Sequence, residues 1–331
     1  MRAVPGCALM GHGMRVLVTG AQGCIGAWVM KALIERDIDV VAFDLSADFR
    51  RLSMIAPAWA AAKVKAETGR IEDCDRVKAL VRDHGITHIV HLAATLIPFC
   101  QQQPAAGALV NVIGTLNVFE AAREAGRPVR VVYASSAAVW GPPEAYEARP
   151  LGEHEPPMPS THYGVFKHAN EQNARVFYEC DGVSSIGLRP WTVYGVGRDT
   201  GLTAGPTLAM KSVVMQRSFE IGIIGPIDLQ YAGDVAEAFV ACLLARLEGA
   251  HVFNLAGDVV TIEDFISRLD RLRPGAARLI TAAGSQVPIA CRLDDSRLRS
   301  LVPGIPKTSL EDGMGRTLDI FERLKAEGKL D

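Results

Sequence analysis

Val16-Leu17-Val18-Thr19-Gly20-Ala21-Gln22-Gly23-Cys24-Ile25-Gly26 decides how this chain folds. The run opens on apolar residues and breaks into three glycines spaced Gly20-x-x-Gly23-x-x-Gly26. Beyond it Ile25, Val29 and Leu33, with Met30 and Ile34, recur at helical spacing, so the stretch reads as strand, tight turn, helix. The glycines permit positive φ, let the backbone approach a ligand closely and let helix pack tightly on strand. Unpaired N–H groups at the helix start then face a diphosphate.

A second strand supports that reading. Asp39-Val40-Val41-Ala42-Phe43-Asp44 ends in an acid 18 residues beyond Gly26, close to the separation at which a carboxylate meets the adenosine ribose hydroxyls. An acid there repels a 2′-phosphate, so the two signals favour NAD over NADP, while Arg50 and Arg51 a few residues on leave room for NADP. The alternative for Asp44 is a solvated turn acid.

With 331 residues, 49% hydrophobic and 22% charged, the chain buries a large core as one elaborated domain or two lobes. A net charge of −2 offers no electrostatic footprint for nucleic acid or an anionic membrane. Seven cysteines, at 7, 24, 74, 100, 180, 242 and 291, form no CxxC pair, which points to a reducing, cytoplasmic setting. Eight histidines show no metal-ligand spacing. The sequence is expected to hold no run of about 20 apolar residues that could span a membrane. The opening 13 residues are too weakly apolar for a signal peptide and read as a disordered extension or an upstream start, with Met1 and Met14 both standing as first residue.

Taken in order, the pattern predicts a third strand over 62–66, a helix over 76–84, a strand over 87–94, a long helix over 104–125, a strand over 130–136, a helix over 161–181 and a strand over 183–189. Strands alternating with helices argue for an α/β, Rossmann-like, doubly wound parallel sheet. After Gly195 the alternation loosens into shorter elements at 219–224, 235–246, 251–255, 262–272 and 310–327. The expected division is a dinucleotide-binding domain over 14–194 and a smaller substrate-binding lobe over 195–331, with parts of 230–256 packing back on the first. His91 reads as a packed, hydrogen-bonded histidine. Cys24, in the phosphate loop, reads as packing rather than redox.

Within the helix near Thr161, Tyr163-Gly164-Val165-Phe166-Lys167 puts a phenol and an ammonium four residues apart, on one face. A free tyrosine titrates near about 10, too high for a base at neutral pH, and a close cation favours the phenolate. Alone, this spacing arises by chance. Here it follows the glycine loop, the acid-tipped second strand and a strand ending in Ser135-Ser136.

With TGAQGCIG at 19–26, HLAA at 91–94, Asn111 in NVIGT, ASSAAVWG at 134–141, YGVFK at 163–167 and RPWTVYG at 189–195, the chain resembles the extended short-chain dehydrogenases/reductases, the NAD-dependent epimerase/dehydratase family, over residues 14 to 331. The resemblance implies Tyr163 as catalytic acid/base, Lys167 lowering its pKa and holding the nicotinamide ribose, Ser136 bonding the reacting oxygen, and Asn111 ordering the active-site backbone and a proton-relay water. It implies an NAD contact set of Gly20, Gln22, Gly23, Cys24, Ile25, Gly26, Asp44, Ile71, Leu92, Ala93, Ala94, Tyr163, Lys167 and Pro190.

Departures from the family narrow the substrate. Dehydratase members carry acids just after the catalytic serine or threonine, where this chain has Ala137 and Ala138. The asparagine and arginine that touch the diphosphate in nucleotide-sugar epimerases correspond here to Thr192 and Ile227. Losing both removes the diphosphate clamp. The substrate neighbours expected are Thr95, Ser136, Trp140, Trp191, Thr192 and Arg198, in loops beyond the strand ends. For Arg198 two readings stand, a substrate carboxylate or backbone carbonyls at the surface; Arg292 is a weaker candidate. The expected activity is NAD-dependent hydride transfer from a secondary alcohol of a small polyhydroxylated substrate, a sugar or sugar acid. The alternatives are a sugar or nucleotide-sugar epimerase holding its NAD tightly, and a non-catalytic NAD sensor. Apolar residues on several sides of 104–125 point to a homodimer through that helix and 161–181.

Overall fold

The computed structural model describes residues 13–147 and 149–330, so the expected opening extension lies outside the described residues apart from Gly13. In β1 (Arg15–Thr19), Val16 and Val18 enter one buried cluster and Leu17 the other. β2 (Asp39–Asp44) repeats the alternation, with Val40 and Ala42 on one side and Val41 and Phe43 on the other. Strands buried on both faces need cover on both, which helices supply in a parallel sheet.

These two strands join β3 (Val64–Thr68), β4 (His88–His91), β5 (Arg130–Ala134) and β6 (Ser185–Arg189) in the spatial order β3-β2-β1-β4-β5-β6, every pair parallel. Later in the chain come β7 (Thr192–Tyr194), β8 (Phe219–Ile224), β9 (Pro226–Tyr231), β10 (Ala250–Asn254), β11 (Asp258–Thr261) and β12 (Ile280–Gln286). β10 returns to the main sheet as its seventh strand, parallel to β6. This is the Rossmann-like, doubly wound α/β fold. Strand order reverses between β1 and β4, and the crevice at their carboxyl ends is where such sheets bind ligands.

On the helical side, α1 (Cys24–Ile34) and α2 (Arg50–Ile55) follow β1 and β2. α3 (Cys74–Asp83) starts two residues before the predicted 76 because Asp73 caps it, its Oδ1 accepting from Arg76 N at 3.1 Å. A 3₁₀ turn, Ala60–Lys63, takes the start of the predicted third strand and shifts it to Val64. Then come α4 (Ile97–Gln102), α5 (Pro104–Ala108), α6 (Gly114–Arg123) and α7 (His162–Asp181). The single helix expected over 104–125 is divided, with a π turn, Leu109–Ile113, between α5 and α6.

By length and composition Pro104–Arg123 is apolar enough to cross a membrane, at a mean hydropathy of 1.4, which corrects the expectation that no segment has that character. Half of it is buried in the protein, and Asn111, Thr115 and Asn117 lie on the inside, so it serves as a core helix here.

The remaining helices are α8 (Gly205–Val214), α9 (Ala232–Leu244), α10 (Ile262–Leu272), α11 (Ser296–Leu301) and α12 (Leu310–Ala326). Two small sheets, β7-β9-β11 and β8-β12, complete this half of the chain, while α9 packs back on α1 and the main sheet.

Candidate active site

Gly20 turns the chain out of β1 with φ +68°, and a Cβ on it would stand 2.6 Å from the backbone nitrogen of Ala93. Only glycine lets the ends of β1 and β4 meet this closely. Asp44 closes β2 beside that loop, its Oδ2 accepting from Gln22 N at 2.8 Å and its Oδ1 from Leu45 N at 2.7 Å. A cleft of about 290 Å³ begins at Gly20, Gly23, Cys24, Ile25 and Gly26. It runs past Leu92 and Ala94 to Ser136, Tyr163, Lys167 and Pro190. Glycine turn, helix start and acid-tipped β2 together fit the diphosphate and ribose of NAD.

The arginines that left room for NADP are engaged elsewhere. Arg51 donates through Nη1 to Gln22 O at 2.6 Å, through Nε to Gly197 O at 3.0 Å and through Nη2 to Asp199 Oδ1 at 2.6 Å; Arg50 lies 3.6 Å from the same carboxylate. Trp28 adds Nε1 to Val196 O at 3.0 Å. Segment 196–199 is thereby strapped across α1 and the glycine loop. Burial pushes the Cys24 thiol up to about 12, so it packs as an uncharged group.

At the other end of the cleft, Thr161 caps α7, its Oγ1 accepting from Gly164 N at 3.1 Å. Gly164 packs so tightly that a Cβ would overlap the Ala138 carbonyl. That contact seats the first turn of α7 on the segment just after Ser136. Lys167 is buried, and its Nζ donates to Ala134 O at 2.6 Å and stands 5.5 Å from the centre of the Tyr163 ring. Burial pulls the Lys167 ammonium down to about 8. Burial also pushes the Tyr163 phenol above its ordinary value, against the Ser136 hydroxyl and the Arg198 charge, which pull it down. Besides Lys167, whose ammonium lies beside the ring, Arg198 acts on the phenol as a lowering charge.

Behind this group lies a polar layer. Ser135 Oγ donates to Glu171 Oε1 at 2.5 Å, and Glu171 is held by Arg189 through two bonds of 2.8 Å, with both side chains buried. Asn111 sits in the π turn: its Oδ1 accepts from Thr95 N at 3.0 Å, and its own carbonyl accepts from Asn170 Nδ2 at 2.8 Å and Thr115 Oγ1 at 2.7 Å. It ties the loop after β4 to α7 from below and does not border the cleft. His91 bridges Thr19 Oγ1 at 2.7 Å and Thr115 Oγ1 at 3.0 Å, and burial lowers it to about 3, so it is neutral.

A second cavity of about 90 Å³ adjoins the cleft and shares Leu96, Ser136, Tyr163, Pro190, Trp191 and Arg198 with it. Trp191 is anchored by its Nε1 to Ala290 O at 2.9 Å. Three residues expected at the substrate are corrected. Trp140 is fully buried beneath the site, its ring under the Arg189 guanidinium at 4.5 Å and its Nε1 bonded to Asn254 Oδ1 at 3.3 Å. Thr192 is fully buried in β7. The Thr95 hydroxyl accepts from Asn111 Nδ2, lies against Cys100 Sγ and borders neither cavity.

Ile71 is buried under α6, its carbonyl accepting from Asn117 Nδ2 at 3.0 Å, outside the lining of the cleft. Arg292 joins neither cavity. Sequence reasoning set Arg51 against a 2′-phosphate rather than on the strap, and missed Leu202, Thr203, Val287 and Ile289. Arg51 carried a signal, its place after β2, whereas 287 and 289 belong to a segment whose return to the site no local pattern announces. A larger groove of about 830 Å³ beside α12 shares no residue with the site, and its Arg273 is paired with Glu322 and Asp319.

The profile of the NAD dependent epimerase/dehydratase family matches residues 16–256. A UDP-glucose 4-epimerase of Azospirillum brasilense is 29% identical over 340 residues, which is 93% of this chain and 92% of that protein. UDP-glucuronate 4-epimerase 6 of Arabidopsis thaliana is 32% identical over 189 residues, 56% of this chain and 40% of the plant protein. Among solved structures, the UDP-glucose 4-epimerase of Thermus thermophilus in complex with NAD superposes with a TM-score of 0.78 at 25% identity, covering 93% of this chain and 99% of that one.

Proposed function

Because the chain belongs to the NAD-dependent epimerase/dehydratase family, whose extended short-chain dehydrogenase/reductase members are NAD-dependent epimerases and dehydrogenases, we propose that it oxidises a secondary alcohol of a small substrate at Ser136, Tyr163 and Lys167. The observation that carries this reading is one continuous cleft lined by the glycine loop at one end and these three residues at the other.

NAD, when bound, accepts the hydride released from the carbinol carbon. Ser136 donates a hydrogen bond to the substrate oxygen and orients it. Tyr163, having first released its own phenol proton to solvent, takes the substrate O–H proton as phenolate while the C–H bond breaks and the C=O bond forms, and returns it when the reaction runs backwards. Lys167, anchored on Ala134 O, holds its charge beside the ring. Asn111, from below, is a positioning residue. The residues at Ala137, Ala138, Thr192 and Ile227 argue against dehydration and against a diphosphate clamp, and favour a free sugar or sugar acid. We further propose that 14–194 carry the cofactor and that 195–331 supply the substrate wall, a reading supported by Leu202, Val287 and Ile289 on the second cavity.

A homodimer through α5–α6 and α7 is supported by exposed Leu109, Ile113, Val165 and Val176 on those elements. Free thiols at the six described cysteines suit a cytoplasmic setting.

The second reading, an epimerase that oxidises and re-reduces one carbon, is favoured by the epimerase activities of the bacterial and plant relatives. The test is to extract and quantify nucleotide from the purified protein, then assay a panel of free sugars, sugar acids and nucleotide sugars for net NADH and for interconversion. Net NADH from a free sugar or acid is the expected result. Stoichiometric bound NAD, no net NADH and an interconverted nucleotide sugar would overturn it in favour of the epimerase.

A further inference from the structure

The second cavity is apolar except at four side chains. Leu96, Ile97, Trp191, Leu202, Val287 and Ile289 are its large apolar lining residues, and Ser136, Tyr163, Arg198 and Thr203 supply the polar groups. Ser136 and Tyr163 serve the reacting oxygen on the reading above, which leaves Arg198 and Thr203 to recognise the rest of the substrate. A ligand with many hydroxyls would lose water here without partners, at a cost of about 1–3 kcal/mol for each buried group left unpaired.

Arg198 is itself unfinished. Its Nη2 donates to Thr203 Oγ1 at 3.2 Å, its Nε is buried without an acceptor, and among the described residues no carboxylate pairs with it. The acid beside it in sequence, Asp199, is bound to Arg51 at 2.6 Å. The neighbouring acid is thus held away while a guanidinium stands at the junction of the cleft and the cavity, where a planar anion can be met by two parallel N–H groups.

Resting on the dehydrogenase reading but narrowing its substrate away from free sugars, we infer that the substrate is a small hydroxy acid whose carboxylate pairs with Arg198, whose hydroxyl faces Ser136 and Tyr163, and whose remaining skeleton is sparsely hydroxylated and packs on Trp191, Val287 and Ile289. The class is a short-chain hydroxy acid in one direction of reaction and the corresponding oxo acid in the other. Oxidation moves the carbinol hydride to NAD and the hydroxyl proton to Tyr163; the carboxylate is unchanged.

The experiment uses the enzyme–NADH complex and needs no turnover. Butyrate and other short carboxylates are titrated against their matched amides, with quenching of NADH fluorescence and thermal melting as readouts, in the unaltered protein, Arg198→Gln and Arg198→Lys. The acids are expected to bind on the order of 10- to 100-fold more tightly than the amides. Arg198→Gln, compared with the unaltered protein at saturating NADH because this residue also lines the cleft, is expected to erase that difference, and Arg198→Lys to retain part of it. Equal binding of acid and amide overturns the inference, as does a preference that survives Arg198→Gln. If Arg198→Gln instead weakens NADH and spares the preference, the arginine belongs to the cofactor diphosphate and the inference also fails. Thermal melting identifies any variant that does not fold, in which case Arg198→Lys decides. The dehydrogenase reading fails separately, through the absence of net NADH formation.

Discussion

Tyr163→Phe removes a proton acceptor and keeps the ring. Turnover is expected to fall by about 10²- to 10⁴-fold while NADH titration and melting stay unchanged; a variant that keeps full activity would contradict the role. His91 supplies a pH test of the core. Its neutral ring is held near 3 by burial, below its ordinary value of 6.5, so between those values the unfolded chain binds a proton that the folded chain refuses. Stability therefore rises with pH across that window and is lost as pH falls through it. Acid unfolding of His91→Gln, read by circular dichroism, is expected to show a shallower slope from pH about 6.5 to about 3. At this scale the sequence was legible where chemistry imposes a spacing, as for Tyr163 with Lys167 and for Asp44 with the glycine loop. It misled at Trp140, because an aromatic beside a site motif reads the same whether it lines the cavity or, as here, lies under Arg189.

Seating α7 on the segment after Ser136 depends on the bare backbone at Gly164. Gly164→Ala drives a Cβ into the Ala138 carbonyl, and displacing Tyr163 by about 1 Å is enough to cost about 100-fold in rate. The expected outcome is a sharp loss of turnover with NADH binding largely kept; full activity would show that α7 has slack the packing does not suggest. The strap is the second element-scale test. Arg51→Ala removes three bonds that tie 197–199 to the glycine loop, and stopped-flow fluorescence is expected to record faster NADH release, whereas an unchanged rate would mean the strap does not retain the cofactor. Helices and strands of the first half were legible from periodicity. The π turn was not, since 104–125 is helical in spacing throughout and the widening is stabilised by Asn170 reaching Asn111 O from α7, with Thr115 four residues on adding a second bond.

Across the whole molecule, legibility follows contact distance. Up to β6 each strand is followed by its own helix, and local pattern suffices; beyond it β10 returns to the main sheet beside β6, β12 pairs with β8 some sixty residues earlier, and the cavity wall gains Val287 and Ile289. Such pairings are set by the assembled fold and leave no periodic trace. The exposed apolar face on α5–α6 and α7 carries the assembly prediction: Leu109→Glu together with Val165→Glu is expected to halve the sedimenting mass with the fold kept, and a protein that sediments as a monomer before mutation contradicts the dimer. The central claim is that this cleft joins NAD to alcohol oxidation at Tyr163. Its most direct test is NADH absorbance from the unaltered protein and Tyr163→Phe, each given NAD and a panel of sugar acids, short hydroxy acids, free sugars and nucleotide sugars. Net NADH from a free sugar or acid, abolished in Tyr163→Phe, is the expected result; no net NADH from any compound, or equal formation by both proteins, would contradict it.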